Sequence, residues 1–456
     1  MKTFHFKKLL QNGKWLTDQV LAVDAEGRIA SIVSGNFGDE MFDLGVPGFQ
    51  NAHSHAFQYA MAGLAELHST NATPDDFWSW REAMYNLALR ISPDHLEAIA
   101  SMLYAEMLRH GYTEVAEFHY VHHQEDGQRY DNLSEMGERL IAAAKKAGIG
   151  ITLIPIFYQK GGFGKPPVDG QRRFISSSAD RYGELLDASA DTCKHFEHAN
   201  YGIGIHSMRG VEPAIIAAVS ETFNQDLPFH IHISEQLKEV SDSIEYLGCR
   251  PVQWMLDHIQ MNDRFHLVHA THLVDQEVRG IAKSGANVVL CPTTEGNLGD
   301  GIFPLRSFQE LGGKWSIGTD SHVSLNPLEE LRLLDYGQRL VSHKRNTFYN
   351  KAQGNSALYA FEQQLLAGRK AMNNFVSDYF KVGEYLDLAA YSLKHPLLAS
   401  AGDQHLLNTV LYSSDSKLNQ ATISKGKVVV KDGCHLHETA ITIDFLNTLN
   451  DLKNRL

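Results

Sequence analysis

Eight short apolar segments, with helical stretches between them, constrain this chain more than any other feature. They cover residues 45–52, 113–119, 150–156, 202–206, 228–233, 265–269, 288–291 and 315–319. Patterns of helical period occupy 93–109, 133–147, 214–224 and 327–341. Strands buried on both faces read as nearly continuous apolar runs, and parallel strands need long crossovers, usually helical. The alternation therefore predicts an α/β architecture, a distorted TIM-like (β/α)8 barrel. An open doubly wound sheet is the structural alternative. No G-x-G-x-x-G follows any of these strands, so nothing supports a dinucleotide fold.

Both ends of the chain are β-rich. Val20 to Val23, the turn Asp24-Ala25-Glu26-Gly27 and Ile29 to Val33 read as a hairpin or small sheet. Near the C-terminus, Thr409 to Tyr412, Thr422 to Ser424 and Lys427 to Val430 read as strands, with a turn at Lys431-Asp432-Gly433. The expected organisation is a small β-sandwich domain built from both termini, residues 1–46 and 376–456, around a catalytic barrel at 47–375. The glycine-rich stretch 161–167 lacks the order of a phosphate loop, because Pro166 follows Lys165, and reads as a surface loop or lid.

A formal net charge of -13 argues against a nucleic-acid or anionic-membrane partner. A few arginines can still reverse the field inside one pocket. Four scattered cysteines without a C-x-x-C pair suit a reduced, cytoplasmic protein. The N-terminal stretch lacks the apolar core of a signal peptide, and no apolar run is long enough to span a bilayer.

The 24 histidines matter by position. His53 and His55, two apart on an extended chain, point the same way and can face one ion. His232 stands nearer its strand end than His230, with Glu235 three residues on; His230 is expected deeper in the barrel. His269 ends the next strand but one from 202–206, and Asp320 follows the last, where a carboxylate ligand would stand. In a barrel these strand ends form one catalytic face.

The set PGFQNAHSH, HIHISE, HATHL and GTDSH, with β-rich ends, resembles the amidohydrolase superfamily across nearly the whole chain. The resemblance implies a divalent metal at the barrel mouth, held by His53, His55, His232 and Asp320. No lysine ends the fourth strand, and His232 with Glu235 resembles the mononuclear deaminase branch. The implied ion is Zn²⁺, with Fe²⁺ the alternative, one per subunit. Zn²⁺ makes water acidic enough to react near neutral pH. Asp320 would accept a proton, Glu235 would protonate substrate nitrogen and His269 would stabilise developing charge.

Residues 77–85, 117–123 and 204–210 further resemble formimidoylglutamate deiminases. That family's reaction converts N-formimino-L-glutamate to N-formyl-L-glutamate and ammonia in histidine degradation. A dianionic amidine would suit Arg209 and Arg81 as carboxylate clamps. Tyr120, His206 and Gln58 would add hydrogen bonds, and Phe77, Trp78 and Trp80 a hydrophobic wall. Deamination of a nucleobase-like ring or another amidine is the alternative. A non-catalytic descendant is disfavoured because the expected ligands and Glu235 are all present. The family also implies a homodimer.

Overall fold

The computed structural model describes residues 1–64, 66, 77–345, 347–349 and 353–455. Eight parallel strands follow one another around a nearly closed barrel in chain order: Phe49–Ser54, Tyr112–His119, Gly150–Phe157, Ile203–Ser207, Phe229–Ile233, Phe265–His269, Asn287–Leu290 and Lys314–Ile317. A short ninth strand, Ala199–Tyr201, pairs beside the third. The strand residues are almost all buried, which is why each reads as an apolar run.

The eighth strand meets the first through a parallel bridge between Ser54 and Asp320. The amides of Thr319 and Asp320 both donate to the His53 carbonyl at 3.1 Å, and the His55 amide donates to the Asp320 carbonyl at 3.2 Å. The closure therefore runs directly through the candidate ligands. Gly318 permits it: a Cβ there would stand 2.7 Å from the His53 Cβ and 2.9 Å from its backbone nitrogen.

A second sheet of eight strands combines the two ends of the chain. Leu388–Tyr391 pairs antiparallel with Glu40–Pro47, which runs parallel to Lys2–Gln11. Asn419–Ser424, Lys427–Lys431 and Cys434–His435 extend one side; Lys14–Val23 and Ile29–Ser34 extend the other. The apolar run at 45–52 divides at Gly48, giving its first half to this sheet and its second to the barrel. One expected strand is a helix instead: Thr409 to Tyr412 lies within Asp403–Ser413. Leu406, Leu407, Val410 and Leu411 bury one face at helical spacing, and the β-branched residues in the short window hid that period.

The helix Pro93–Arg109 shows how local sequence sets a boundary. Ser92 accepts a hydrogen bond from the His95 amide, His95 Nδ1 accepts one from the Ser92 amide, and Pro93 occupies the first turn. His95 Nε2 also bonds Asp451 at 2.9 Å, tying down the C-terminal helix Glu438–Arg455. Among the described residues, no helix is long and apolar enough to cross a membrane.

Candidate active site

Side chains from the first, fifth and eighth strand ends meet at one point. His53 Nε2 lies 3.1 Å from His55 Nε2 and 3.0 Å from His232 Nε2. Asp320 Oδ1 lies 3.6 Å from His53 Nε2 and 3.2 Å from His55 Nε2. Four donors bound about 2.0–2.1 Å from one tetrahedral ion stand roughly 3.3 Å apart, so the spacing fits such an ion.

The orientation of the rings fits as well. The Phe118 carbonyl accepts from His55 Nδ1 at 2.7 Å, and the His206 carbonyl accepts from His232 Nδ1 at 3.0 Å. A carbonyl can only accept, so both rings carry the proton on Nδ1 and turn the Nε2 lone pair inward. Burial lowers the His53 pKa to about 3 and that of His232 well below the usual histidine value. Burial alone would raise Asp320, but the adjacent His53 and His55 rings outweigh it and hold the carboxyl well below its ordinary value. Neutral His53 and His232 beside the Asp320 carboxylate are donors of the kind a divalent cation needs.

His269, Cys291 and Asp320 form a second possible grouping. Burial pushes the Cys291 thiol well up, which disfavours the thiolate that would bind metal. Burial would lower His269, but the Glu235, Glu295 and Asp320 carboxylates outweigh it and raise its pKa to about 10. His269 Nδ1 faces Glu295 Oε1 at 3.2 Å; its Nε2 lies 3.7 Å from both Glu235 Oε1 and Asp320 Oδ2. This is the geometry of a cationic bridge between carboxylates, and it leaves the three-histidine grouping as the better metal set.

His55, His232, Asp320, Glu235 and His269 line a cavity of about 40 Å³ together with Gln58, Arg81, Tyr120, His206 and Arg209. His53 lies beneath it, fully buried. Gln58 donates to the Tyr120 hydroxyl at 2.8 Å. His206 stacks on Tyr158 at 3.9 Å between ring centres. Arg81 lies on the helix Phe77–Ala88, its guanidinium over Tyr85 at 5.5 Å. The side chains of Phe77 and Trp78 fall outside the described residues, while Trp80 lines the cavity. A much larger cavity, about 440 Å³, holds none of these residues.

Four contributors were not singled out from the sequence. Tyr158 and Leu298 complete the cavity wall. Glu295 orients His269, and its Oε1 also accepts from the Cys291 amide at 2.9 Å. Glu239 is fully buried beneath Arg209: its Oε2 lies 3.2 Å from Arg209 Nη1, and its two oxygens accept from the Ser234 and Glu235 amides at 3.2 and 3.1 Å. Ser234, His269 and Asp320 all have positive φ, at 51°, 67° and 46°. Such strain in non-glycine residues at the ends of the fifth, sixth and eighth strands is typical of functional sites.

A model of the amidohydrolase family matches residues 45–429. The chain is 43% identical over 453 residues to formimidoylglutamate deiminase of Pseudomonas aeruginosa, covering 98% of this chain and 99% of the relative. It is 24% identical to 5-methylthioadenosine/S-adenosylhomocysteine deaminase of Natronomonas pharaonis, covering 91% and 89%. A crystal structure of an amidohydrolase from Brucella melitensis superposes with TM-score 0.93 at 39% identity, over 99% of this chain and 100% of that one. An adenosine deaminase from Xanthomonas campestris, with bound zinc, shares the fold with TM-score 0.80 at 20% identity, over 99% and 98%.

Proposed function

The chain belongs to the amidohydrolase family, and from that premise we propose that it hydrolyses N-formimino-L-glutamate to N-formyl-L-glutamate and ammonia. The observation that carries the reading is identity of 43% across essentially the whole of a formimidoylglutamate deiminase. The pocket supports it chemically: Arg81 and Arg209 share one small cavity with Glu235 and the grouped imidazoles. Two guanidinium groups suit a substrate with two carboxylates.

In this reading His53, His55, His232 and Asp320 hold one divalent ion, which supplies the Lewis acidity that makes water a nucleophile at neutral pH. Asp320 takes a proton from the attacking water. Glu235 gives a proton to the imino nitrogen and then assists departure of ammonia, so the C–N bond breaks as the formyl C=O forms. His269, held by Glu295, stabilises charge at the reacting carbon. Arg209 and Arg81 fix the glutamate carboxylates; Gln58, Tyr120 and His206 orient the amidine. Water attack on an oriented carbon gains from proximity as much as from proton transfer. Zn²⁺ as the ion, Fe²⁺ as its substitute, a homodimer and a cytoplasmic setting rest on family resemblance and composition. The division into a catalytic barrel at 47–375 and a composite β domain at 1–46 with 376–456 belongs to the same proposal.

Ammonia release should be measured from N-formimino-L-glutamate beside N-formimino-L-aspartate, guanine and cytosine, with metal content determined on the same sample. Rapid turnover of the glutamate compound alone is expected. Full metal occupancy with turnover only of a ring amine would overturn the substrate.

A further inference from the structure

A cavity larger than that of the candidate active site lies at the opposite end of the barrel from it. It holds about 440 Å³ between the base of the third barrel strand and the small sheet. Its walls are the last turn of the helix Glu135–Ala147, the connection at 195–199 and the hairpin of Asn419–Ser424 with Lys427–Lys431. That volume falls within the range of small-molecule sites.

Its lining is chemically divided. Ile141, Ile149, Ile151, Phe196 and Val429 give an apolar surface. Around them stand four lysines, Lys145, Lys146, Lys425 and Lys427, and four histidines, His195, His198, His435 and His437. One carboxylate joins the lining, Glu197, and its Oε1 accepts from the Tyr385 hydroxyl at 3.2 Å. In a chain of net charge -13 this is a local reversal of sign.

Some of that charge is already neutralised. Lys146 pairs with Asp444, and Lys425 with Glu114 and Asp387. Among the described residues Lys145 and Lys427 form no ion pair. The carbonyl end of the helix Glu135–Ala147 favours nearby cations, which accounts for Lys145 and Lys146. It does not account for Lys427, which projects from the other wall. A second feature points inward: the Ser424 hydroxyl, on a residue 1% exposed, has no hydrogen-bond partner. A buried hydroxyl without a partner is a desolvation cost that a bound polar group removes.

We propose that this cavity is a second binding site, for a small organic anion whose carboxylate or sulfonate sits on an apolar ring or short alkyl body. The apolar body lies on Ile149, Phe196 and Val429, the charge lies between Lys145 and Lys427, and the Ser424 hydroxyl donates to the ligand. The site is independent of the substrate proposed above, because it shares no residue with the other cavity.

The test uses 8-anilinonaphthalene-1-sulfonate as probe on the full-length, metal-loaded protein, with uncharged N-phenyl-1-naphthylamine as control. Fluorescence titration should give one sulfonate probe per chain, undisturbed by saturating N-formimino-L-glutamate. The exposed pair Lys145→Glu with Lys427→Glu should weaken that probe at least tenfold. It should leave binding of the neutral probe and ammonia release unchanged. Absence of saturable binding, equal binding to the variant, or displacement by N-formimino-L-glutamate would each overturn the proposal.

Discussion

Arg209 shows how much of this site depends on one buried partner. Glu239 holds Nη1 of the guanidinium, while Nη2 lies 3.5 Å from Glu235. Removing the Glu239 charge frees Arg209 to close on Glu235 and leaves two backbone amides with a poorer acceptor. Glu239→Gln should therefore lower kcat/KM for N-formimino-L-glutamate by about 10- to 100-fold, of the order of a lost charged hydrogen bond. Arg209→Met should cost more, about 30- to 1,000-fold, because it also removes the proposed carboxylate clamp. The double variant decides whether the two act together: fully additive losses in a double-mutant cycle would sink the coupling. Glu239 was illegible in the sequence because a glutamate in the first turn of a helix reads as an ordinary N-terminal acid. Only the fold turns it beneath Arg209. His53, His55, His232 and Asp320 were easier to find, because a strand's period of two and its C-terminal end fix where their side chains point. Tyr158 and Leu298 carried no such signal; chain segments distant in sequence bring them to the wall.

At the scale of the elements, the contact between the eighth and first strands is the tightest constraint. Gly318→Ala places a methyl group against the His53 Cβ and backbone. It should destabilise the fold by about 1–3 kcal/mol through overpacking, and it should also lower metal occupancy, since His53 and Asp320 share that seam. Loss of stability with full occupancy would show that the seam does not position the ligands. The barrel strands were legible because burial on both faces leaves few polar residues to interrupt them. The helix Asp403–Ser413 was not, since four residues sample barely one turn and cannot separate the two periods. Deeper in the barrel, His230 stacks on His266 at 4.8 Å, and burial lowers the pKa of His230 to about 4. The unfolded chain, with an ordinary value near 6.5, binds more protons between those limits. Stability should therefore fall as pH drops from about 6.5 to 4, by up to about 3 kcal/mol from this residue, and level off below. His230→Gln keeps a donor for the Ala371 carbonyl, which now receives the His230 Nε2 bond at 3.0 Å, and should flatten the slope of urea midpoints across that range. An unchanged slope would assign the acid sensitivity to other groups.

For the whole molecule, a metal that joins the first, fifth and eighth strand ends would be a stabilising ligand as well as a reactant. Chelation should abolish ammonia release and lower the melting temperature; an ion present at about 1,000 times its dissociation constant contributes about 4 kcal/mol. Loss of activity with an unchanged melting temperature would show that the barrel mouth is rigid without it. The eight-strand order of the small sheet bears on a different matter, the timing of synthesis. Glu40–Pro47 leaves the ribosome roughly 340 residues ahead of its neighbour Leu388–Tyr391, an interval of roughly 20–70 s at ordinary elongation rates. Through that time one side of the N-terminal sheet is an unpaired edge carrying Leu44 and Val46, the kind of edge on which nascent chains aggregate. Chaperone demand should be greatest during translation and should end when the last strands arrive, so truncation before residue 388 would convert a transient hazard into a permanent one.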